Sequence, residues 1–140
     1  MAELNLTLTL EEQPFVLSLE NEDGLVTTID ASPAIGGKQR GLRPMELLAG
    51  ALAGCMSIDV LSILKKQRLD IQSYSVKITA KRSEAIPSGF EAIELQFIVD
   101  ENIPLDKVEH AVKLSHDKYC SVSVSMHPEI AVTTVVTHQK

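Results

Sequence analysis

Leu4, Leu6, Leu8 and Leu10 alternate strictly with polar residues, which predicts a half-buried strand over residues 3–10. Pro14 to Glu20 reads as a second strand, and Asn21-Glu22-Asp23-Gly24 supplies turn chemistry before a third at Leu25 to Ile29. The next stretch, "DASPAIGGKQRGLR", has no regular period and contains Gly36, Gly37 and Gly41. Its fourteen residues are long for a connector in a compact domain, so it is expected to be functional or to form an inter-subunit arm. A long helix is predicted from Pro44, which suits a first helical position, to Arg68, with Lys65, Lys66 and Arg68 where the helix dipole favours cations. Alternation returns at Tyr74, Val76, Ile78 and Ala80, and again, after the loop "SEAIPSG", at Ile93, Leu95, Phe97 and Val99. Pro104 opens a second helix with an apolar stripe of Leu105, Val108, Ala111, Val112 and Tyr119. A sixth strand is expected over residues 129–137. No repeat, low-complexity tract or linker divides the chain, so residues 1–140 read as one α+β domain with a curved, mostly antiparallel sheet.

The long helix is apolar on nearly every side: Leu47, Leu48, Leu52, Met56, Ile58, Val60, Leu61, Ile63 and Leu64. It is long enough to span a bilayer, and Gly50 and Gly54 make a GxxxG pattern. Asp59 argues against that reading, because a carboxylate near the bilayer centre costs roughly 2.5–3.5 kcal/mol. The amphipathic strands also need this helix as their core. A helix apolar all round must be buried all round, and one sheet covers only one side. An identical partner, its own helix packed on the small residues Gly50, Ala53, Gly54 and Ser57, is the economical cover, so an intimate homodimer is expected.

Composition narrows the function. At 140 residues with 44% hydrophobic content, the chain can bury a real core. A net charge of −6 argues against nucleic acid and anionic membranes as partners. No Lys or Arg precedes Lys38, while Glu3, Glu11, Glu12, Glu20, Glu22, Asp23 and Asp30 do. Without a basic stretch leading into an apolar one, no secretory signal is read, and the cytoplasm is the expected compartment.

Candidate chemistry rests on Cys55 and Cys120, which belong to no CxxC pair. His110, His116, His127 and His138 form no HxxxH or HExxH pattern, so no metal site is expected. His116 stands one helical turn before Cys120, as a base would, or as a solvated side chain on a charged face. Asp59, one turn beyond Cys55, faces the same way and would raise a thiol's pKa. By spacing alone the two cysteines read as small core hydrophobes in a reducing compartment.

The motif context adds more. "LRPMELLAGALAGCMSIDVLSILKKQ", followed 65 residues after its cysteine by "AVKLSHDKYCSVSVSM", resembles the OsmC/Ohr family of thiol-dependent hydroperoxide reductases, and most of all its OsmC-like subgroup. The resemblance covers the whole chain. It implies an entwined homodimer with two central helices and active sites at the subunit interface. By position, Cys55 matches the peroxidatic cysteine and Cys120 the resolving one. The first attacks the hydroperoxide O–O bond and becomes a sulfenic acid. The second condenses with it to a disulfide that an external dithiol, a lipoylated protein in characterised members, reopens. No bound cofactor is implied. Efficient members hold the thiolate with an Arg from the N-terminal strands and a Glu directly after the helix-opening proline. Here Met45 follows Pro44, Glu46 comes one later, and the N-terminal strands contain no Arg. Arg40 and Arg43 in the arm, with Glu46, are the candidate replacements. Nine residues of helix, a rise of roughly 13 Å and a rotation of about 180°, separate Glu46 from Cys55 of its own chain. The resemblance therefore implies reduction of organic hydroperoxides. The alternative is a non-peroxidase dimer binding a small apolar or thiol-bearing ligand between subunits.

Overall fold

The computed structural model describes residues 2–140. It has six strands and three helices in an α+β arrangement: β1 (Thr7–Glu12), β2 (Val16–Glu20), β3 (Val26–Ile29), α1 (Pro44–Lys66), β4 (Tyr74–Arg82), β5 (Phe90–Val99), α2 (Leu105–Leu114), α3 (Ser121–Ser125) and β6 (Ala131–His138). The chain divides into two compact units, residues 1–48 and 49–140, with the boundary inside the first turns of α1. The strands divide likewise into two sheets of three, ordered β1-β2-β3 and β4-β5-β6.

In the N-terminal unit β1, β2 and β3 form an antiparallel meander, with Leu8 opposite Leu19, Leu10 opposite Leu17, and Leu17 opposite Ile29. These partners share one face because side chains alternate along each strand. β1 begins four residues later than the alternation suggests, so Leu4 and Leu6 lie ahead of it. The expected half-burial is not reached within the single chain: Leu8 and Leu10 are 55% and 51% exposed. Asn21 caps the β2–β3 turn, its Oδ1 accepting from the N–H groups of Asp23 and Leu25 at 3.0 and 2.9 Å.

The arm that follows is strapped down. Asp30, 2% exposed, accepts backbone N–H groups from Ala31 (2.7 Å), Lys38 (2.9 Å) and Arg40 (3.2 Å). Burial pushes this carboxyl up, but the three donors outweigh it and hold the group below the usual carboxylate range. Gly37 and Gly41 are required here, because a Cβ at either would run into the backbone of Ala31 or Thr28.

In the C-terminal unit β5 is central, antiparallel to β4 and parallel to β6. The parallel pair needs a crossover, and the segment containing α2 provides it. Ile93, Leu95, Phe97 and Val99 alternate along β5 and are fully buried. Val76 and Val136 flank Phe97 on the same face. Onto this face comes a row from α1, Leu52, Met56, Val60 and Leu64, each 0% exposed and each one helical turn from the next. By length and composition α1 could cross a membrane, with a mean hydropathy of 2.0 over eighteen residues. Here its row is the core of the unit, joined by Val108, Ala111 and Val112 of α2.

Two departures from the sequence pattern have local causes. α1 ends at Lys66, and Arg68 takes φ 61°, which terminates the helix. After α2 the chain widens into a π turn, Ser115–Tyr119, in which the Cys120 N–H reaches back to the Ser115 carbonyl at 2.8 Å. That breaks the 3.6-residue period, so Tyr119 leaves the apolar stripe and is 58% exposed.

Phe97→Ala is expected to destabilise the protein by about 3–5 kcal/mol, read from the denaturant midpoint, because no neighbour can fill the space it leaves. Ile86→Ala, at a side chain 99% exposed in the β4–β5 loop, should change stability by less than about 0.5 kcal/mol.

Candidate functional site

Cys55 and Cys120 both belong to the C-terminal unit, and the fold makes them neighbours. Cys55 stands just off the buried row of α1, half-buried, packed against the cluster that includes Cys120. Cys120 follows the π turn, is 5% exposed and sits at the N-cap of α3 in extended conformation. Its Sγ accepts the Ser123 N–H at 3.3 Å. Burial pushes the Cys120 thiol above the ordinary cysteine value, the Ser123 amide opposes this in part, and the facing Cys55 thiol pushes it further up. Cys55 is thus a partly exposed residue, and Cys120 is buried with its thiol held neutral. Both are free thiols.

Two polar ties hold α1 beside the thiols. The Tyr74 hydroxyl on β4 donates to Ser57 Oγ at 2.8 Å, and burial raises the Tyr74 pKa, offset in part by this bond. The Ser115 hydroxyl donates to Asp59 Oδ2 at 2.7 Å. Asp59 therefore faces the π turn as a hydrogen-bonded acid. Sequence reasoning missed Ser115, although a signal existed. It falls on the stripe that runs Val108, Val112, Ser115, and a polar residue on such a stripe needs a buried partner.

The other candidates have visible local partners. His116 is engaged with the adjacent Asp117, Nδ1 to Oδ1 at 3.3 Å; this bond, followed by Lys113 at 3.2 Å, holds Asp117 below the usual carboxylate range. Arg40, Arg43 and Glu46 belong to the N-terminal unit. Arg40 Nη1 lies 3.3 Å from Glu12, which also holds Lys38 Nζ at 2.8 Å. Glu46, in the first turn of α1, accepts the backbone N–H of Arg43 at 2.8 Å, satisfying a donor at the helix start. Among the described residues no three His, Cys, Asp or Glu side chains are grouped to hold a metal.

Two cavities flank the π turn. A groove of about 550 Å³ runs between α2 and β6, with Glu109, Lys113, His116 and Asp117 on one wall and valines of β6 on the other. A smaller one of about 310 Å³ is lined by His116, Ser123, Met126, His127 and Ile130. Neither is lined by a cysteine.

Known proteins place this geometry in a family. The model for OsmC-like protein matches residues 36–135, which include both cysteines. Protein YhfA of Escherichia coli (strain K12) is 43% identical over 91 residues, covering 64% of this chain and 68% of its own length. A hypothetical protein from Aquifex aeolicus has a structure that superposes with TM-score 0.81 at 29% identity, with both chains covered in full. The organic hydroperoxide resistance protein OhrB of Bacillus subtilis shares the fold at TM-score 0.66 and 19% identity, over 96% of this chain and 98% of its own. With its family model spanning the α1 thiol, the π turn and the second thiol, the chain belongs to the OsmC-like protein family.

Proposed function

We propose that the protein is a homodimeric, thiol-dependent peroxidase for organic hydroperoxides, with Cys55 as the attacking sulfur and Cys120 as the resolving one. The observation that carries this reading is the thiol pair itself: a partly open cysteine on a helix facing a buried neutral one, in a chain without CxxC. Neighbours of the same fold named for organic hydroperoxide resistance add support.

The chemistry balances as follows. The Cys55 thiolate attacks the distal oxygen of R–O–O–H, the O–O bond breaks, and the departing alkoxide takes a proton to give the alcohol. Cys55 is left as a sulfenic acid. The Cys120 sulfur then attacks the Cys55 sulfur, and the S–O bond breaks. The Cys120 proton leaves with the hydroxide as water. An external dithiol reduces the disulfide and is itself oxidised to a disulfide. A buried, protonated Cys120 suits the second role, because it resists oxidation by bulk peroxide and waits for the sulfenic acid beside it. For thiolate stabilisation Arg40 and Arg43 are the candidates; Arg40 is paired with Glu12.

Of the small residues expected to face a partner helix, Ala53 is buried in the core and Ser57 is bonded to Tyr74, so the dimer rests instead on an uncovered apolar strip that includes Gly54. Ala51, Gly54, Ile58 and Leu61 recur at alternating spacings of three and four on α1, and Ile58 is 72% exposed. A Cβ built at Gly54 meets nothing within 4 Å in the chain. An identical helix laid on this strip would bury it at close range.

One equivalent of a bulky organic hydroperoxide should consume both thiols and give a 55–120 crosslink by mass spectrometry, while Cys120→Ser should stop at sulfenic acid. Thiols that stay reduced would overturn the peroxidase and leave the ligand-binding dimer. Cys55 should be alkylated before Cys120 at neutral pH, and replacing the arginine that serves its thiolate, tested as Arg40→Met and Arg43→Met, should slow it; unchanged alkylation in both variants would leave the thiol without an arginine partner. Because folding holds the Cys120 proton more tightly than the unfolded chain does, its thiol adds stability at neutral pH. That contribution should fade as pH rises through the raised value, narrowing the difference from Cys120→Ser in denaturant titrations. Gly54→Leu fits the single chain, so it should leave folded protein but shift sedimentation from dimer toward monomer; an unaffected dimer would place the interface elsewhere.

A further inference from the structure

Ser115 is fully buried, and each of its polar groups is committed to a different element. Its N–H reaches back to the Ala111 and Val112 carbonyls of α2. Its carbonyl accepts the Cys120 N–H at 2.8 Å, closing the π turn. Its hydroxyl donates to Asp59 Oδ2 at 2.7 Å, across 56 residues of sequence. A helical serine can satisfy its hydroxyl locally, on a carbonyl one turn back. Ser115 instead spans to α1, four residues beyond Cys55. The two thiols therefore sit at the two ends of one short hydrogen-bonded path. It runs from Cys55 through one helical turn to Asp59, across the hydroxyl to Ser115, and through the closing bond of the π turn to Cys120. π turns interrupt the regular helix where a side chain must be re-aimed, and this one delivers Cys120 to the face of α1 that carries Cys55.

We propose that Asp59 and Ser115 are positioning residues for the thiol pair: their hydrogen bond pins the π turn to α1 and sets the distance and direction from which the Cys120 sulfur meets Cys55. This rests on the thiol-pair reading above. Neither residue touches the peroxide. They act on the effective concentration of one sulfur at the other, and so on disulfide closure. The tether needs an acceptor at residue 59 and has no need of its charge, which separates it from an electrostatic role for Asp59.

The test uses the full-length protein equilibrated with mixtures of reduced and oxidised glutathione, the 55–120 disulfide being quantified by mass spectrometry. Ser115→Ala and Asp59→Ala should each lower the disulfide-to-dithiol ratio at fixed glutathione poise by about tenfold, a size expected for loss of one specific coupling. The double variant should fall no further than either single one. Asp59→Asn, which keeps the acceptor, should stay near wild type. In parallel, single-turnover oxidation with an organic hydroperoxide and a dimedone trap should capture more Cys55 sulfenic acid in the two Ala variants. If Ser115→Ala does not fold, Asp59→Ala at its half-exposed position against Asp59→Asn decides the matter alone. Variants that lose denaturant stability yet keep the wild-type disulfide equilibrium would overturn the proposal, as would Asp59→Asn falling with Asp59→Ala. The glutathione equilibrium needs no peroxide. Wild-type thiols inert to hydroperoxide but showing this pattern would sink the peroxidase reading and leave the tether standing.

Discussion

Leu52, Met56, Val60 and Leu64 stand one turn apart on α1 and lose all contact with water in a cluster with the alternating residues of β5. Everything else in the C-terminal unit is arranged around that contact. Burying four such side chains contributes on the order of 1.5–3 kcal/mol each, and it fixes the rotation of α1 about its axis. Once the row faces β5, Cys55 must lie at the edge of the core, and Asp59 and Ser57 must find partners on the elements packed alongside. Tyr74 and Ser115 are those partners. Helix packing thus decides where the thiol points, and the two hydrogen bonds keep that orientation from drifting.

The same constraint shapes the second thiol. Cys120 is not on the regular part of α2, where a side chain would follow the apolar stripe. It comes after a π turn whose extra residue shifts the register. Burial then raises its pKa while the Ser123 amide supplies a weak partner for the sulfur. Two cysteines with the same intrinsic chemistry end in different states because one borders the core and the other lies inside it. In the proposed reaction that difference divides the labour: the accessible sulfur meets the oxidant, and the protected one meets only its neighbour.

Much of this was legible in the residues. Period-two alternation located β1, β4 and β5, and turn chemistry placed β2 and β3, to within four positions, because each of the alternating strands has one face that needs cover. Pro44 and the terminal lysines placed α1 within two residues of its observed end. That Cys55 and Cys120 lie side by side was an expectation of the family motif, and spacing carried no sign of it. What stayed hidden depends on partners distant in sequence. Glu46 resembles a residue that would serve the thiolate, yet its carboxylate caps the backbone of Arg43; Arg40 is drawn to Glu12, 28 positions earlier. Ser115 looks unremarkable in "KLSHDKY" until Asp59 is beside it.

The sequence by itself determined the inventory: six amphipathic strands, one helix too apolar to be half-covered, a glycine-bearing arm and two cysteines in a recognisable context. These are local properties of pattern and residue type, set by side-chain polarity and backbone stereochemistry within a few positions. The tertiary structure alone decided the division of the strands into two sheets of three, the parallel pairing of β6 with β5, and the π turn. It also decided which of the two thiols is buried. Each of those is settled by competition for the same apolar surface among segments far apart in the chain, and its outcome depends on how the whole unit packs.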